Sequence, residues 1–159
     1  MKKLLYLLLL LPLGFLGSCS DDDDMPSVDV TVNIDNAVDY DGRIYIVSGE
    51  PLTVSSITAE GLGGKAAGIS GVNYILDHIG MGYTIIQPFN GSISAAYLPV
   101  GNHLFTLAFD VFQVDKSIAY AQLSTIVTVV ETAEDLPEGT TPGTVSLKYR
   151  LNPTTDASK

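Results

Sequence analysis

Cys19 is the only cysteine in the chain, so its thiol is the one sulfur nucleophile that the sequence offers. It follows a positively charged start, Lys2 and Lys3, and an apolar segment at residues 4–16. That segment is too short to cross the roughly 30 Å hydrocarbon core as a helix, which takes about 20 residues. The pattern therefore predicts an export signal. Since no partner exists for an intramolecular disulfide, we expect the thiol to be chemically modified in an exported protein.

The motif Leu16-Gly17-Ser18-Cys19 resembles the lipobox of bacterial lipoproteins, with Leu three positions before the cysteine and two small residues between them. The resemblance implies that the Cys19 thiol receives a diacylglyceryl group and that a peptidase cuts before Cys19. Residues 1–18 would then be the signal peptide. Two or more acyl chains anchor a protein stably to a membrane. The alternative is an ordinary secreted protein with an incidental cysteine.

An acidic run follows the cysteine directly. Its members are Ser20, Asp21, Asp22, Asp23 and Asp24. Adjacent carboxylates repel each other, so residues 19–27 are predicted to form an extended tether. The run also resembles the export signal of Bacteroidota surface lipoproteins, which implies an outer-membrane protein that faces the cell exterior. The alternative is a plain acidic linker that faces the periplasm.

The rest of the chain has the pattern of strands. Val28, Val30, Val32 and Ile34 alternate with polar residues. In all, eight or nine short strands are predicted, with a turn every 8–15 residues. We find no convincing amphipathic helix. The pattern predicts an all-β fold over residues 28–152, a single antiparallel β-sandwich of about 7–9 strands, with a tail at 153–159.

Several details of this fold are predicted as well. A phase slip at Ser55-Ser56 indicates a bulge. The glycine-rich residues 61–71 indicate a loop, and Gly80-Met81-Gly82 indicates a turn. Residues 118–131 form a long segment rich in β-branched side chains. Within it Ile126, Val127, Val129 and Val130 are nearly continuous, which favours a central strand that is covered on both faces.

Three segments carry a more specific resemblance. They are Val72-Asn73-Tyr74-Ile75-Leu76-Asp77, then Gln87-Pro88-Phe89, and then residues 98–104. They resemble the middle of immunoglobulin-like domains of Bacteroidota surface lipoproteins. The resemblance implies an immunoglobulin-like sandwich, although the Cys–Trp–Cys core of antibody domains is absent. Such domains occur alone and within glycan-uptake or adhesion proteins, so the fold does not select a function.

The residues that could do catalysis are sparse. His78 and His103 have no third nitrogen or thiolate ligand near them in the sequence, which disfavours zinc. Ser70 lies in Gly68-Ile69-Ser70-Gly71, which is not a nucleophile elbow. We therefore predict no enzyme and no cofactor. A small surface hydrolase is the weakest of the alternatives.

Asp35, Asp39 and Asp41 cluster around a predicted turn and are weak candidates for calcium. An EF-hand that begins at Asp39 fails, because Arg43 takes a ligand position and Ile44 takes that of the required glycine. A solvated turn is the simpler interpretation, so no metal is predicted.

The partner of this domain is predicted only by class. A net charge of −10 disfavours nucleic acid. Tyr40, Tyr45 and Tyr83 are candidates to stack on a glycan, although the chain has no Trp and tyrosines at the faces or edges of a sheet are the simpler interpretation. We predict a lipid-anchored, non-catalytic module that contacts an extracellular glycan or protein. The alternative is a structural subunit of a pilus-like assembly, in which residues 145–151 are donated as a strand.

Overall fold

The computed structural model describes residues 25–151, so Cys19, the acidic run and the tail lie outside the described residues. The described part contains ten strands. They are β1 (Val28–Tyr40), β2 (Arg43–Val47), β3 (Leu52–Gly61), β4 (Ala67–Ile69), β5 (Val72–Leu76), β6 (Ile79–Thr84), β7 (Gly91–Ile93), β8 (Gly101–Gln113), β9 (Ala119–Val130) and β10 (Gly143–Leu151). Three 3-10 turns complete the regular structure, at Leu62–Gly64, Ala95–Tyr97 and Ala133–Asp135. Within residues 25–151, no helix has the length and apolar character needed to cross a membrane.

The strands form two sheets joined through β1. Sheet A has the order β10-β1-β3-β7, and sheet B has the order β6-β5-β8-β9-β2, with β4 also paired to β8. The first half of β1 pairs with β3 and β10, whereas Val38 to Tyr40 pair with β2 in sheet B. Asn36, with a φ of 53°, lies at the point where the strand changes sheet.

The strand order is that of an immunoglobulin-like domain. If β1, β3 and β7 are taken as strands A, B and E, then β5, β8 and β9 take the places of C, F and G in the facing sheet. The predicted single immunoglobulin-like sandwich is therefore confirmed. It has ten strands where about 7–9 were expected. It is also not wholly antiparallel, because β2 pairs in parallel with β9.

The core is built by the alternation that the sequence predicted. Val28, Val30, Val32 and Ile34 of β1 are almost completely buried, as are the odd-numbered residues 103–113 of β8. Tyr74 lies among them, and its hydroxyl donates to the Phe89 carbonyl. Burial raises the pKa of Tyr74 to about 12, so the phenol stays neutral in the core.

The predicted turn at Gly80-Met81-Gly82 is wrong. The chain turns at Asp77 and His78 instead, which have φ angles of 49° and 69°, and the three residues belong to β6. Aspartate adopts a positive φ angle more readily than most residues. The Asp77 carboxylate also stabilises the turn, because it accepts a hydrogen bond from the Leu104 amide at 2.8 Å. The glycines instead accompany a bulge in the pairing of β5 with β6.

Two further details differ from the prediction, and one agrees. The expected loop at residues 61–71 contains the short strand β4, which pairs with the end of β8 beyond the residues that pair with β5. The strand at residues 118–131 is covered on one face only, since Tyr120, Gln122 and Ser124 are exposed. The predicted bulge at Ser55-Ser56 is confirmed by the register shift between β1 and β3.

Candidate functional site: the outer face of sheet B

The two outer faces of the sandwich differ in chemistry. On sheet A, short polar side chains bond to each other across three strands. The Asn33 amide donates to Ser56 Oγ at 2.8 Å, and Ser146 Oγ donates to Asn33 Oδ1 at 2.6 Å. Asp35 Oδ1 likewise accepts from Ser55 Oγ and Thr144 Oγ1. This face satisfies much of its own hydrogen-bonding capacity, which leaves less for a ligand.

The outer face of sheet B instead exposes aromatic rings. Tyr83, Phe112 and Tyr120 all lie on this face by register. Tyr83 pairs with the exposed Asn73, and Tyr120 pairs with the exposed Asp110. Phe112 lies between the buried residues Val111 and Gln113 of β8. Tyr83 and Tyr120 are 63% and 64% exposed. We call Tyr83, Phe112 and Tyr120, with the polar residues Asn73, Asp110 and Gln122 between and beside them, the aromatic face.

Two glycines allow two of these rings to lie close to the sheet. A Cβ atom on Gly71 would meet the Tyr83 hydroxyl at 2.1 Å and its ring carbons at 2.4 and 2.7 Å. A Cβ on Gly68 would meet the Phe112 ring at 2.6 Å. Each ring therefore covers a glycine and presents its remaining surface to solvent. Rings held against a rigid strand lose little conformational freedom when a ligand stacks on them.

Polar groups separate the rings. One row of paired residues crosses four strands and consists of Tyr83, Asn73, Ala108 and Gln122. The backbones of Tyr83 and Gln122 are therefore about 14 Å apart. The Gln122 amide donates to the Tyr120 hydroxyl at 2.8 Å, and Asp110 lies opposite Tyr120. The aromatic face thus offers amide and carboxylate groups between stacking surfaces.

This arrangement suits a ligand that has both apolar faces and hydroxyl groups. An aromatic ring attracts the C–H groups of a flat partner, while Asn, Gln and Asp bond hydroxyl groups at its rim. Its exposed rings come from three strands, so the face suits an extended ligand better than a small molecule that must be enclosed.

His103 forms a different kind of site. Its Nδ1 lies 2.7 Å from Asp77 Oδ2, and its Nε2 lies 2.7 Å from the Pro99 carbonyl oxygen. Burial lowers the pKa of His103, but the hydrogen bonds to Asp77 and Pro99 outweigh it, so that the pKa is raised. The hydrogen bond from His103 in turn lowers the pKa of Asp77.

The His103 imidazole therefore has no ring nitrogen left to activate a nucleophile. Ser70 Oγ accepts a hydrogen bond from the Asp110 amide, which is seven residues along β8 from His103, or about 23 Å. His78 is exposed at the turn. The structure does not bring these three residues together.

The carboxylates proposed for calcium do not converge either. Among residues 25–151, no group of three or more His, Cys, Asp or Glu side chains is arranged to hold a metal ion. Asp35 bonds to hydroxyls of sheet A, while Asp39 and Asp41 lie at the turn between β1 and β2.

The tyrosines named from the sequence fall into two places. Tyr40 and Tyr45 contact each other edge to face, with 6.5 Å between ring centroids. Tyr45 pairs with Thr128, eight residues or about 26 Å along β9 from Tyr120, so this pair is separate from the aromatic face. Only Tyr83 belongs to that face.

Sequence reasoning missed Phe112 and Tyr120. The signal was present, because Phe112 is out of phase with the alternating core residues 105, 107, 109 and 111 of the same strand. An aromatic residue on the polar phase of a half-buried strand must point to solvent.

Comparison with known proteins identifies neither a family nor a function for this chain. No family model matches the chain, and no curated protein matches it significantly. Among solved structures, the fibronectin(III)-like modules of Clostridium thermocellum CbhA are similar at 17% identity, over 60% of this chain and 94% of that chain, with a TM-score of 0.38. An overlap this weak does not establish a common fold. The immunoglobulin-like assignment therefore follows from the strand order of this chain itself.

Proposed function

We propose that this chain is a cell-surface lipoprotein, anchored through Cys19, whose sandwich is a non-catalytic module that binds a neutral glycan on the aromatic face. The lipobox and acidic run support the anchor and its outward direction. The observation that carries the binding proposal is the Tyr83 ring over Gly71, beside Asn73 and with Tyr120 on the same face. Solvent-exposed aromatic rings held on a rigid sheet favour an interaction site.

The negative charge of the chain disfavours anionic ligands. The net charge is −10, and Asp110 lies within the aromatic face. An anionic polysaccharide would be repelled, whereas the hydroxyls of a neutral glycan can donate to the carboxylate. A protein ligand is the alternative outcome, and it would use the same rings as an apolar anchor.

The test is binding of the full-length protein to soluble neutral and anionic polysaccharides by affinity electrophoresis. Tyr83→Ala and Tyr120→Ala should each weaken binding of a neutral glycan on the order of tenfold, because each removes a stacking surface. Tyr97→Ala is the matched control, since Tyr97 is 61% exposed but belongs to a 3-10 turn and not to a strand of either sheet. Equal loss in all three variants, or no binding of any neutral glycan, would contradict the proposal.

Gly71→Ala gives a second and more local test. A Cβ at this position displaces the Tyr83 ring without removing it. We expect weaker glycan binding with almost unchanged stability, because the displaced ring is the end of an exposed side chain. Unchanged binding would mean that the position of the ring is irrelevant.

A structural subunit remains the second candidate, because one observation favours it. β10 follows the last strand of the immunoglobulin-like set and adds to the outer edge of β1. A strand in this place is one that a neighbouring molecule could donate.

A further inference from the structure

The turn between β8 and β9 exposes apolar side chains at one end of the sandwich. Val114 and Ile118 lie on it, and Ile118 is 71% exposed. The Val114 amide donates to the Ala66 carbonyl at 3.0 Å, which joins the turn to the loop after β3. We call residues 114–118 the hairpin tip. Turn residues are usually polar or glycine, and here Val114 and Ile118 together give the turn a small exposed apolar surface.

The chain enters the sandwich beside this tip. The Ser27 amide donates to Gln113 Oε1 at 2.9 Å, and the Ser27 carbonyl accepts from the Leu62 amide at 2.9 Å. Gln113 is buried and also donates to the Leu62 carbonyl. Gln113 therefore holds the first residue before β1 against the last residue of β8, one position before Val114.

The distance from Cys19 to this point is limited by covalent geometry. Ser27 is eight residues after Cys19, so the two are at most about 29 Å apart even with the chain fully extended. β8 has 13 residues and runs along the sandwich for roughly 43 Å. A lipid on Cys19 thus keeps the tip end of the sandwich near the membrane.

Charge favours the same orientation. Four of the five Lys and Arg residues in the described part lie in the half near the tip: Lys65, Lys116, Lys148 and Arg150. They balance the four carboxylates of that half, Asp29, Glu60, Asp110 and Asp115, and Lys65–Asp115 and Arg150–Asp29 form ion pairs. The opposite end carries the acidic loop after β9, with Glu131, Glu134, Asp135 and Glu138. A surface of anionic phosphate headgroups repels the acidic end more than the tip end.

We infer that the hairpin tip docks on the lipid surface to which the protein is anchored, with Val114 and Ile118 inserted at the boundary between headgroups and acyl chains. This inference rests on the proposed lipid anchor. Two small apolar side chains bind a membrane weakly, but the anchor supplies a high local concentration, so weak contact suffices. Docking fixes the sandwich upright and turns the aromatic face parallel to the membrane normal, open to ligands from the side.

The test uses the absence of tryptophan from the chain. Ile118→Trp and Ile79→Trp each introduce a single indole, at 71% and 65% exposed positions at opposite ends of the sandwich. Full-length lipidated protein is reconstituted into vesicles of phosphatidylethanolamine and phosphatidylglycerol, with or without bromine on the acyl chains. Ile118→Trp should lose roughly half of its emission in brominated vesicles, since the indole would lie within about 5–10 Å of the acyl boundary. Ile79→Trp should lose almost none.

The outcomes separate the inference from the anchor. If both variants float with the vesicles and neither is quenched, the anchor stands and docking is overturned. Equal quenching of both variants also overturns docking, because the domain then has no preferred orientation. Failure of the protein to float with vesicles would contradict the anchor, and docking with it. Val114→Trp, on the other side of the turn, should repeat the result of Ile118→Trp.

Discussion

His103 shows how one residue joins two loops of the sandwich. Both of its ring nitrogens face acceptors, the Asp77 carboxylate and the Pro99 carbonyl. Only the doubly protonated imidazolium can donate to both at once. Asp77 also accepts from the Leu104 amide, so the pair ties the β5–β6 turn and the segment before β8 to one point. The role of this pair is structural.

The His103 pair predicts a dependence of stability on pH. Folding raises the pKa of His103, so its contribution is complete below about pH 6.5 and is lost as pH rises through the native pKa. Folding lowers the pKa of Asp77, so its contribution is lost as pH falls below about 3.9 through the native value. Urea unfolding across this range should show both losses. In His103→Gln the loss above pH 6.5 should disappear, and its persistence would assign that loss to another group.

Gln113 also joins separate segments of the chain through its side chain. A buried glutamine must satisfy its amide, and this one does so with the Ser27 amide and the Leu62 carbonyl. Gly61 adjoins it, since a Cβ there would lie 2.1 Å from the Lys65 carbonyl oxygen and 3.0 Å from Gln113 Nε2. This clamp sets where the tether leaves the domain.

Gln113→Ala should lower the free energy of unfolding by about 2–4 kcal/mol, because it leaves two partners without a hydrogen bond and opens a cavity. Gln122→Ala is the control. Gln122 is exposed on the next strand, so its loss should change the free energy by less than about 0.5 kcal/mol. Equal effects in a urea titration would show that the clamp adds no stability.

At the scale of elements, β8 organises the molecule. It is central in sheet B, its odd-numbered residues enter the core, and Asp110 and Phe112 point outward from the same strand. The sequence predicted the inward set, because alternation of apolar and polar residues is a local signal. It did not predict the outward set, because whether an outward aromatic meets others depends on the register with β5, β6 and β9.

β10 lies outside the set of strands assigned to the immunoglobulin-like fold, so the fold class does not predict its role. It pairs only with β1, and its inward residues Val145, Leu147, Tyr149 and Leu151 are partly buried against the core. Burial raises the pKa of Tyr149, with a smaller contribution from Asp39, so the phenol stays neutral at the edge of sheet A. The strand therefore contributes to the core while remaining at an edge.

Truncation after Pro142 removes β10 and distinguishes its two roles. We expect the truncated chain to unfold cooperatively at a much lower urea concentration. The reason is that the four partly buried side chains of β10 and its pairing with β1 are lost. A truncated chain that stays folded and monomeric, where the full-length chain assembles, would instead favour the structural subunit. Size-exclusion chromatography and urea unfolding of both chains give the answer.

At the scale of the molecule, the anchor is the prediction with the simplest readout. Cys19→Ala should release the protein from membranes or leave it unprocessed, because the thiol is the only group that can take the lipid. Membrane fractionation and intact mass measure both effects. If fractionation and mass both stay the same, the lipoprotein prediction is wrong.

The direction of the anchored domain has a separate test. Replacement of Asp21, Asp22, Asp23 and Asp24 by Ala should abolish accessibility to added protease on intact cells while lipidation of Cys19 is retained. Since the described residues are unchanged, the folded domain itself serves as the control. Accessibility that survives would mean that the acidic run is not the export signal.

The sequence by itself determined the all-β class, most of the strands and the inward side of the long alternating strands, because these follow from local alternation and turn residues. It also carries the whole case for the lipid anchor, which depends on adjacent residues. Only the tertiary structure decided that Tyr83, Phe112 and Tyr120 share one face, since they come from three different strands. The same is true of Ser27 beside the hairpin tip. Such relations depend on strand order and register, which arise from contacts far apart in the chain, and a periodic pattern does not encode them.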